Sequence, residues 1–168
     1  MLSVEEARER ILSYFSVLPV EETQLVDSLG QVLAEDLVAP FDIPPFANSA
    51  MDGYAVRAAD TQGASNESPV ELPVTGVVAA GQLPDHALES GTAIRIMTGA
   101  PMPDDADAVI PFEDTDELER RESGGSSEAI AVHLQAETYD NVRGAGEDVQ
   151  AGATVLESGQ ILRAGEIG

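Results

Sequence analysis

Beyond Pro69 the apolar runs of this chain are short and separated by glycine and proline. Runs of that length suit strands, whereas a helix needs roughly ten or more uninterrupted residues. The pattern predicts strands over Val70 to Ala79, Thr92 to Met97, Ala108 to Glu113, Ala129 to Leu134 and Thr154 to Leu156. Between them, Glu119 to Glu128 reads as an exposed hairpin tip whose charges form a solvated face, and Thr61 to Pro69 as a polar, turn-rich connector. The N-terminal part has a different period. Ser3 followed by Glu6 is a capping box, and Val4, Ala7, Ile11, Leu12 and Phe15 recur at helical spacing. A helix from Val4 to Val17, stopped by Pro19, is expected. Glu22 to Val26 reads as a short strand, and Asp27 as the cap of a brief helix over Ser28 to Ala34. The fold class is α+β.

Phe41 to Asp60 joins these two regions. Pro44 and Pro45 hold the backbone extended or turning, because proline fixes φ and keeps the preceding residue out of the α region. Asn48, Ser49, Asp52 and Gly53 follow, offering side-chain acceptors, a hydroxyl and a position free to take positive φ. The segment is a rigid entry, then a polar turn, then a strand starting at Tyr54. Two readings of Asp52 stand on residues alone. In one, its carboxylate stabilises its own turn. In the other, it holds a hydrated Mg²⁺ or assists proton transfer.

Charge limits the partners. Eight basic against 31 acidic residues give a formal charge of −23, and every cationic side chain is an arginine. Such a field repels phosphate backbones and anionic lipid, so no nucleic-acid or membrane partner is expected. Excess carboxylate without lysine suggests adaptation to high salt; an acidic protein encoded by a GC-rich genome is the other explanation. Without cysteine there are neither disulfides nor thiolate metal sites, and His86 and His133 lie too far apart in sequence to suggest a zinc site. No apolar run approaches the ~20 residues of a bilayer span, and the first residues lack the basic start and apolar core of a secretory signal. A cytoplasmic location is the expectation. Asn141 to Gly146, with Arg143, could cradle a phosphate, but its spacing matches neither a Walker loop nor a dinucleotide fingerprint.

Asp42-Ile-Pro-Pro-Phe-Ala-Asn-Ser-Ala-Met-Asp-Gly-Tyr-Ala55 resembles the hallmark loop of the molybdopterin molybdenumtransferases, the MoeA and gephyrin E-domain family. Thr92 to Pro103 with Ala106 to Pro111 resembles that family's second block, and Asn141 to Val149 its third. The resemblance implies an elongated molecule in three parts. These are an N-terminal helix at 1–19, a discontinuous α+β domain at 20–46 and 139–168, and an inserted, mostly β domain at 47–138. The family's α/β pterin-binding domain and C-terminal β domain are not in this sequence. Arg163 to Gly168 reads as the opening turns of a helix too short to sustain itself, so the chain is expected to be part of a longer protein and inactive alone.

The implied activity is insertion of molybdate into adenylylated molybdopterin with release of AMP, using Mg²⁺. The implied partners are a second copy of the chain in a homodimer and the enzyme that makes the adenylate. Carried onto this sequence, Asp52, Thr98 and Asp148 become catalytic positions, Ser49 and Gly53 bind the substrate, and Asp52 is the metal ligand. Residues 47–138 would face the partner's pterin domain. Two further readings use the same residues: a non-catalytic dimerisation or scaffold module, and a small-molecule binding domain with its ligand at the loop from Pro44 to Tyr54.

Overall fold

The structure, a computed structural model, describes residues 2–126 and 128–168. In chain order the elements are helix α1 (Val4–Leu12), strands β1 (Leu37–Val38), β2 (Asn48–Ser49), β3 (Gly53–Val56), β4 (Val70–Val78), β5 (Ala93–Ile96) and β6 (Ala108–Pro111), helix α2 (Glu117–Ser123), strands β7 (Ala129–Val132), β8 (Val142–Arg143) and β9 (Thr154–Leu156), and helix α3 (Ala164–Ile167). The protein is of mixed α+β class. Its chain divides into two compact units, Met1–Leu37 with Thr154–Gly168, and Val38–Ala153.

In the first unit Ser3 and Glu6 form the expected reciprocal cap. The Ser3 N–H donates to Glu6 Oε2 at 2.8 Å and the Glu6 N–H to Ser3 Oγ at 3.1 Å. The helix ends at Leu12, five residues before the expected stop. The Ser13 hydroxyl donates to the Arg10 carbonyl, and the chain leaves through tight turns with Tyr14 bonded to Ile11 and Phe15 to Leu12. No residue of α1 is buried, so burial does not extend it beyond what its cap and propensity support. The strand expected at Glu22 to Val26 is instead a 3₁₀ turn at Leu25–Asp27. The helix expected over Ser28 to Ala34 does not form either. Gly30 turns the chain at φ 82°, and residues 30 to 33 pair with the distant segment 159–162 through Gly30 N–H to Leu162 O, Leu162 N–H to Gln31 O and Leu33 N–H to Gln160 O. That pairing is invisible to local periodicity.

The second unit holds a five-stranded sheet ordered β6-β3-β5-β4-β7, antiparallel except for the parallel β4–β5 pair. All four residues of β3 are buried, and neighbouring ones enter different apolar clusters. Tyr54 and Val56 pack with Leu72, Ile110, Ile130 and Val132, while Ala55 packs with Val78, Leu88, Ile94, Ile96 and Val109. The strand alternation thus puts packed side chains on both faces. Strands β4, β5, β6 and β7 lie inside the ranges expected for them and β9 matches its own, whereas β3 begins one residue before Tyr54 and the short strands β2 and β8 were not expected.

The hairpin tip is corrected. Glu117–Ser123 is a helix, α2, closed by Gly124 in the left-handed region at φ 70°, with the Gly125 N–H donating to the Arg120 carbonyl at 2.7 Å. Its charges are not all solvated. Glu117 is 6 % exposed, and Asp116, the N-cap residue, accepts from the Ala131 N–H at 2.8 Å. Tertiary partners for these carboxylates turn a polar stretch into a packed helix. Residue 127 of that stretch lies outside the described residues.

Candidate functional site

Asp52 occupies the turn between β2 and β3. Its own carbonyl accepts from the Phe112 N–H, which ties the turn to the end of β6. Thr98 lies in the turn after β5, where Gly99 takes φ 78° and the Ala100 N–H donates to the Met97 carbonyl. The β3–β5 ladder, with Gly53 opposite Ile96, brings the two turns together. Thr98 donates both its backbone N–H and its hydroxyl to Asp52 Oδ1, each at 2.7 Å. These two bonds, the backbone one foremost, hold the Asp52 carboxyl below its ordinary value of 3.8, with a further contribution from the Arg95 charge. Asp52 is therefore an anion at neutral pH. It suits a charge-bearing or base role better than that of a proton donor.

Ser49 clamps the same region by its backbone. Its N–H donates to the Ala100 carbonyl and its carbonyl accepts from the Gly99 N–H. The Ser49 hydroxyl is buried and donates to the Met51 carbonyl at 2.6 Å, so the side chain braces the Asp52 turn. Gly53 is required by close approach. A Cβ there would sit 2.0 Å from the Ile110 carbonyl oxygen, so no side chain fits between β3 and β6.

Asp148 sits on the loop after β8. Its two carboxylate oxygens both accept from Arg143 Nη2 at 2.7 Å, and its N–H donates to the Ile43 carbonyl. Asp148 and Glu147 together raise the pKa of Arg143. The loop thereby packs on the Ile43-Pro44 segment, which Gly146 also reaches by donating to the Pro44 carbonyl. Among the described residues no hydrogen bond or ion pair joins Asp148 to Asp52 or Thr98. The link is through the backbone, since β2 pairs with β8, Ser49 opposite Val142 and Asn48 opposite Arg143. Asn141, at φ 54°, donates its Nδ2 to the Val109 carbonyl and accepts from the Ala50 N–H, so it fastens this ladder to the sheet.

Sequence reasoning missed the polar cluster beside the Asp52 turn. Arg95 on β5 pairs with Glu117 of α2 at 3.1 Å, with side-chain exposures of 12 % and 7 %. The guanidinium lies 5.2 Å from the centre of the Tyr54 ring and 5.9 Å from that of Phe112. Glu117 also meets Arg121 at 2.5 Å. Burial, and the bond and charge of Glu117, push the Tyr54 phenol up to about 12. A crevice of about 330 Å³ opens here, with Val74, Val77 and Ile130 among its lining residues and its arginines matched by acidic partners. The available signal was a cation between Ile94 and Ile96 in an otherwise apolar strand.

Among the described residues no group of three or more histidine, cysteine, aspartate or glutamate side chains could cage a metal. Asp52 has one oxygen, Oδ2, that no hydrogen bond among them reaches. Mg²⁺ commonly binds through one or two carboxylates together with substrate phosphates. This donor set fits an ion of that kind, carried on a phosphate.

Fold and site together define an α+β module that presents an ionised carboxylate on a turn where two inner strands of a mixed sheet end. The chain belongs to the family described as the MoeA N-terminal region (domain I and II), which matches residues 2–168. It is 42 % identical over 168 residues to molybdopterin molybdenumtransferase 2 of Mycobacterium tuberculosis, covering all of this chain and 40 % of that protein. To the molybdopterin molybdenumtransferase of Staphylococcus aureus it is 38 % identical over 166 residues, 99 % of this chain and 38 % of that one. A crystal structure of the molybdopterin biosynthesis MoeA protein of Pyrococcus horikoshii superposes with TM-score 0.83 at 37 % identity, over 99 % of this chain and 40 % of that chain. The chain thus spans about 40 % of the length of these relatives.

Proposed function

We propose that this chain is the N-terminal part of a molybdopterin molybdenumtransferase, acting in molybdenum cofactor biosynthesis by inserting molybdate into adenylylated molybdopterin with release of AMP. The observation that carries the reading is the paired turn. The loop that resembles the family's hallmark folds so that Asp52 is held ionised by Thr98 in exposed turns at the ends of β3 and β5. Both substrates are anions that repel one another. Mg²⁺ bound to Asp52 and a substrate phosphate would neutralise that charge. Asp52 fixes the position of negative charge, Thr98 orients it, and Ser49 and Gly53 shape the turn that presents it. Arg143 on β8 and Asp148 on the loop after it are joined to that turn through the β2–β8 pairing.

In this reading the chain alone does not turn over, and the inserted part at 47–138 faces the pterin-binding domain of a second copy. The apolar side chains that the first unit leaves exposed, Val4, Ile11, Phe15 and Val17 among them, suit a cover by the pterin-binding domain or by the second copy of a homodimer. No helix of the described residues is long and apolar enough to cross a membrane. The test is AMP release from molybdopterin adenylate by the longer protein containing this segment, supplied with molybdate and Mg²⁺. Asp52→Asn is expected to lower the rate by about 10²-fold or more, the scale for losing a preorganised charge. Unchanged turnover in that variant would end the assignment of Asp52.

A further inference from the structure

We propose that Arg95 is a positioning residue whose guanidinium locks together the two turns that carry Asp52 and Thr98. Gly53 and Ile96 face each other in the register of β3 and β5, next to where the two strands part into those turns. There Arg95 Nη1 donates to both carbonyls, Gly53 O at 2.8 Å and Ile96 O at 2.9 Å. Gly53 directly follows Asp52, and Ile96 stands two residues before Thr98. One nitrogen therefore joins the backbone of both turns and touches neither functional side chain.

The rest of the guanidinium is held by charge and by ring contacts more than by short hydrogen bonds. Nε faces Glu117 Oε2 at 3.1 Å, Nη2 reaches Glu117 Oε1 at 3.5 Å, and the plane lies against Tyr54 and Phe112. Glu117 comes from α2, so the brace extends from that helix through Glu117 and Arg95 to the Asp52 turn. Stability alone does not call for this arrangement. A buried ion pair loses hydration on both partners, and an apolar residue of similar size often serves a sheet interior as well or better. Lysine would be no substitute, because a point ammonium lacks the fork that serves two carbonyls and a carboxylate together.

The proposal rests on Asp52 and Thr98 being a working pair in the proposed reaction, and its test separates the two ideas. Amide hydrogen exchange is read on this chain for the wild type, Arg95→Gln, Arg95→Lys and Glu117→Gln. In Arg95→Gln the Thr98 amide is expected to exchange about tenfold faster, while the Ala55 and Val109 amides within the sheet stay within about twofold. Arg95→Lys should recover part of the protection, and Glu117→Gln should show the same change at smaller size. In the longer protein, Arg95→Gln is expected to lower kcat by about 10²-fold with KM little changed, as misplacement of a reacting group does.

An unaltered Thr98 amide in Arg95→Gln, with the sheet amides intact, overturns the proposal. Equal loss of protection at Thr98 and throughout the sheet in both Arg95→Gln and Glu117→Gln overturns it too, by reducing Arg95 to a general stabiliser. Full activity of Arg95→Gln beside an inactive Asp52→Asn overturns its part in the reaction. Full activity of Asp52→Asn defeats the functional reading instead, and the exchange data still decide the brace.

Discussion

Thr98 gives both its backbone N–H and its hydroxyl to a single oxygen of Asp52, each at 2.7 Å. The arrangement orients the carboxylate and favours its ionised form, while no protein donor among the described residues bonds to the second oxygen.

Thr98→Val removes the hydroxyl bond and keeps the side-chain shape. The Asp52 carboxyl is expected to move up toward its ordinary 3.8 without reaching it, because the backbone bond remains. A carboxyl with a lowered folded pKa stabilises the fold above its unfolded value and loses that contribution as pH falls through the folded value. Acid unfolding of the variant should be less steep in the window below 3.8. Carbon NMR of the Asp52 side chain against pH measures the shift directly, and no change would remove the hydroxyl from the account.

Tyr54 should ionise at about 12, with burial and the neighbouring Glu117 as the causes. Here the folded pKa lies above the unfolded 10.0, so the folded state keeps the proton longer. The associated stability is complete below that lower value and is lost as pH rises toward the upper one. Phenolate absorbance during alkaline titration should show a late step, and that step should vanish in Tyr54→Phe.

Gly53→Ala should lower stability by at least about 3 kcal/mol, the upper range for forced overpacking, because the new methyl meets backbone that cannot swing away. Urea unfolding measures it. A loss below about 1 kcal/mol would mean that β3 and β6 separate easily at this point.

Ile94→Ala should cost about 2–5 kcal/mol, since the side chain is fully buried among Val78, Leu88, Ile96 and Val109. Val17→Ala, at a side chain 97 % exposed, should change the unfolding free energy of the chain by less than about 0.5 kcal/mol. Any larger loss that grows with protein concentration would report a partner covering that surface.

The melting temperature should rise as KCl is added. With 31 acidic and 8 basic residues, counterions relieve repulsion across the whole surface. A flat curve from low to molar salt would exclude high-salt adaptation.

The readable parts of the fold were those whose causes lie within a few residues. The Ser3 cap, the strands beyond Pro69 and the polar turn around Asp52 all follow from nearby side chains and backbone preferences. The misread parts were decided by distant partners. Residues 30–33 had helical spacing but pair with 159–162, and the charges of α2 suggested a solvated tip although Glu117 belongs to a buried ion pair. Asp52 and Thr98 were legible as candidates through the resemblance of their segments to known blocks. The role of Arg95 was not: its place between Ile94 and Ile96 marks it as unusual, but nothing local says which two carbonyls it spans.

By itself the sequence determined where the chain turns, which runs become strands, and that Asp52 would stand on a turn rather than on a strand face. Proline, glycine and capping side chains act over one to four residues, so those choices are local. Only the tertiary structure decided that Asp52 meets Thr98, 46 residues away, and that Arg95 closes the gap between their turns. Such meetings depend on sheet order and register, set when the apolar faces of β3, β5 and β6 are buried together.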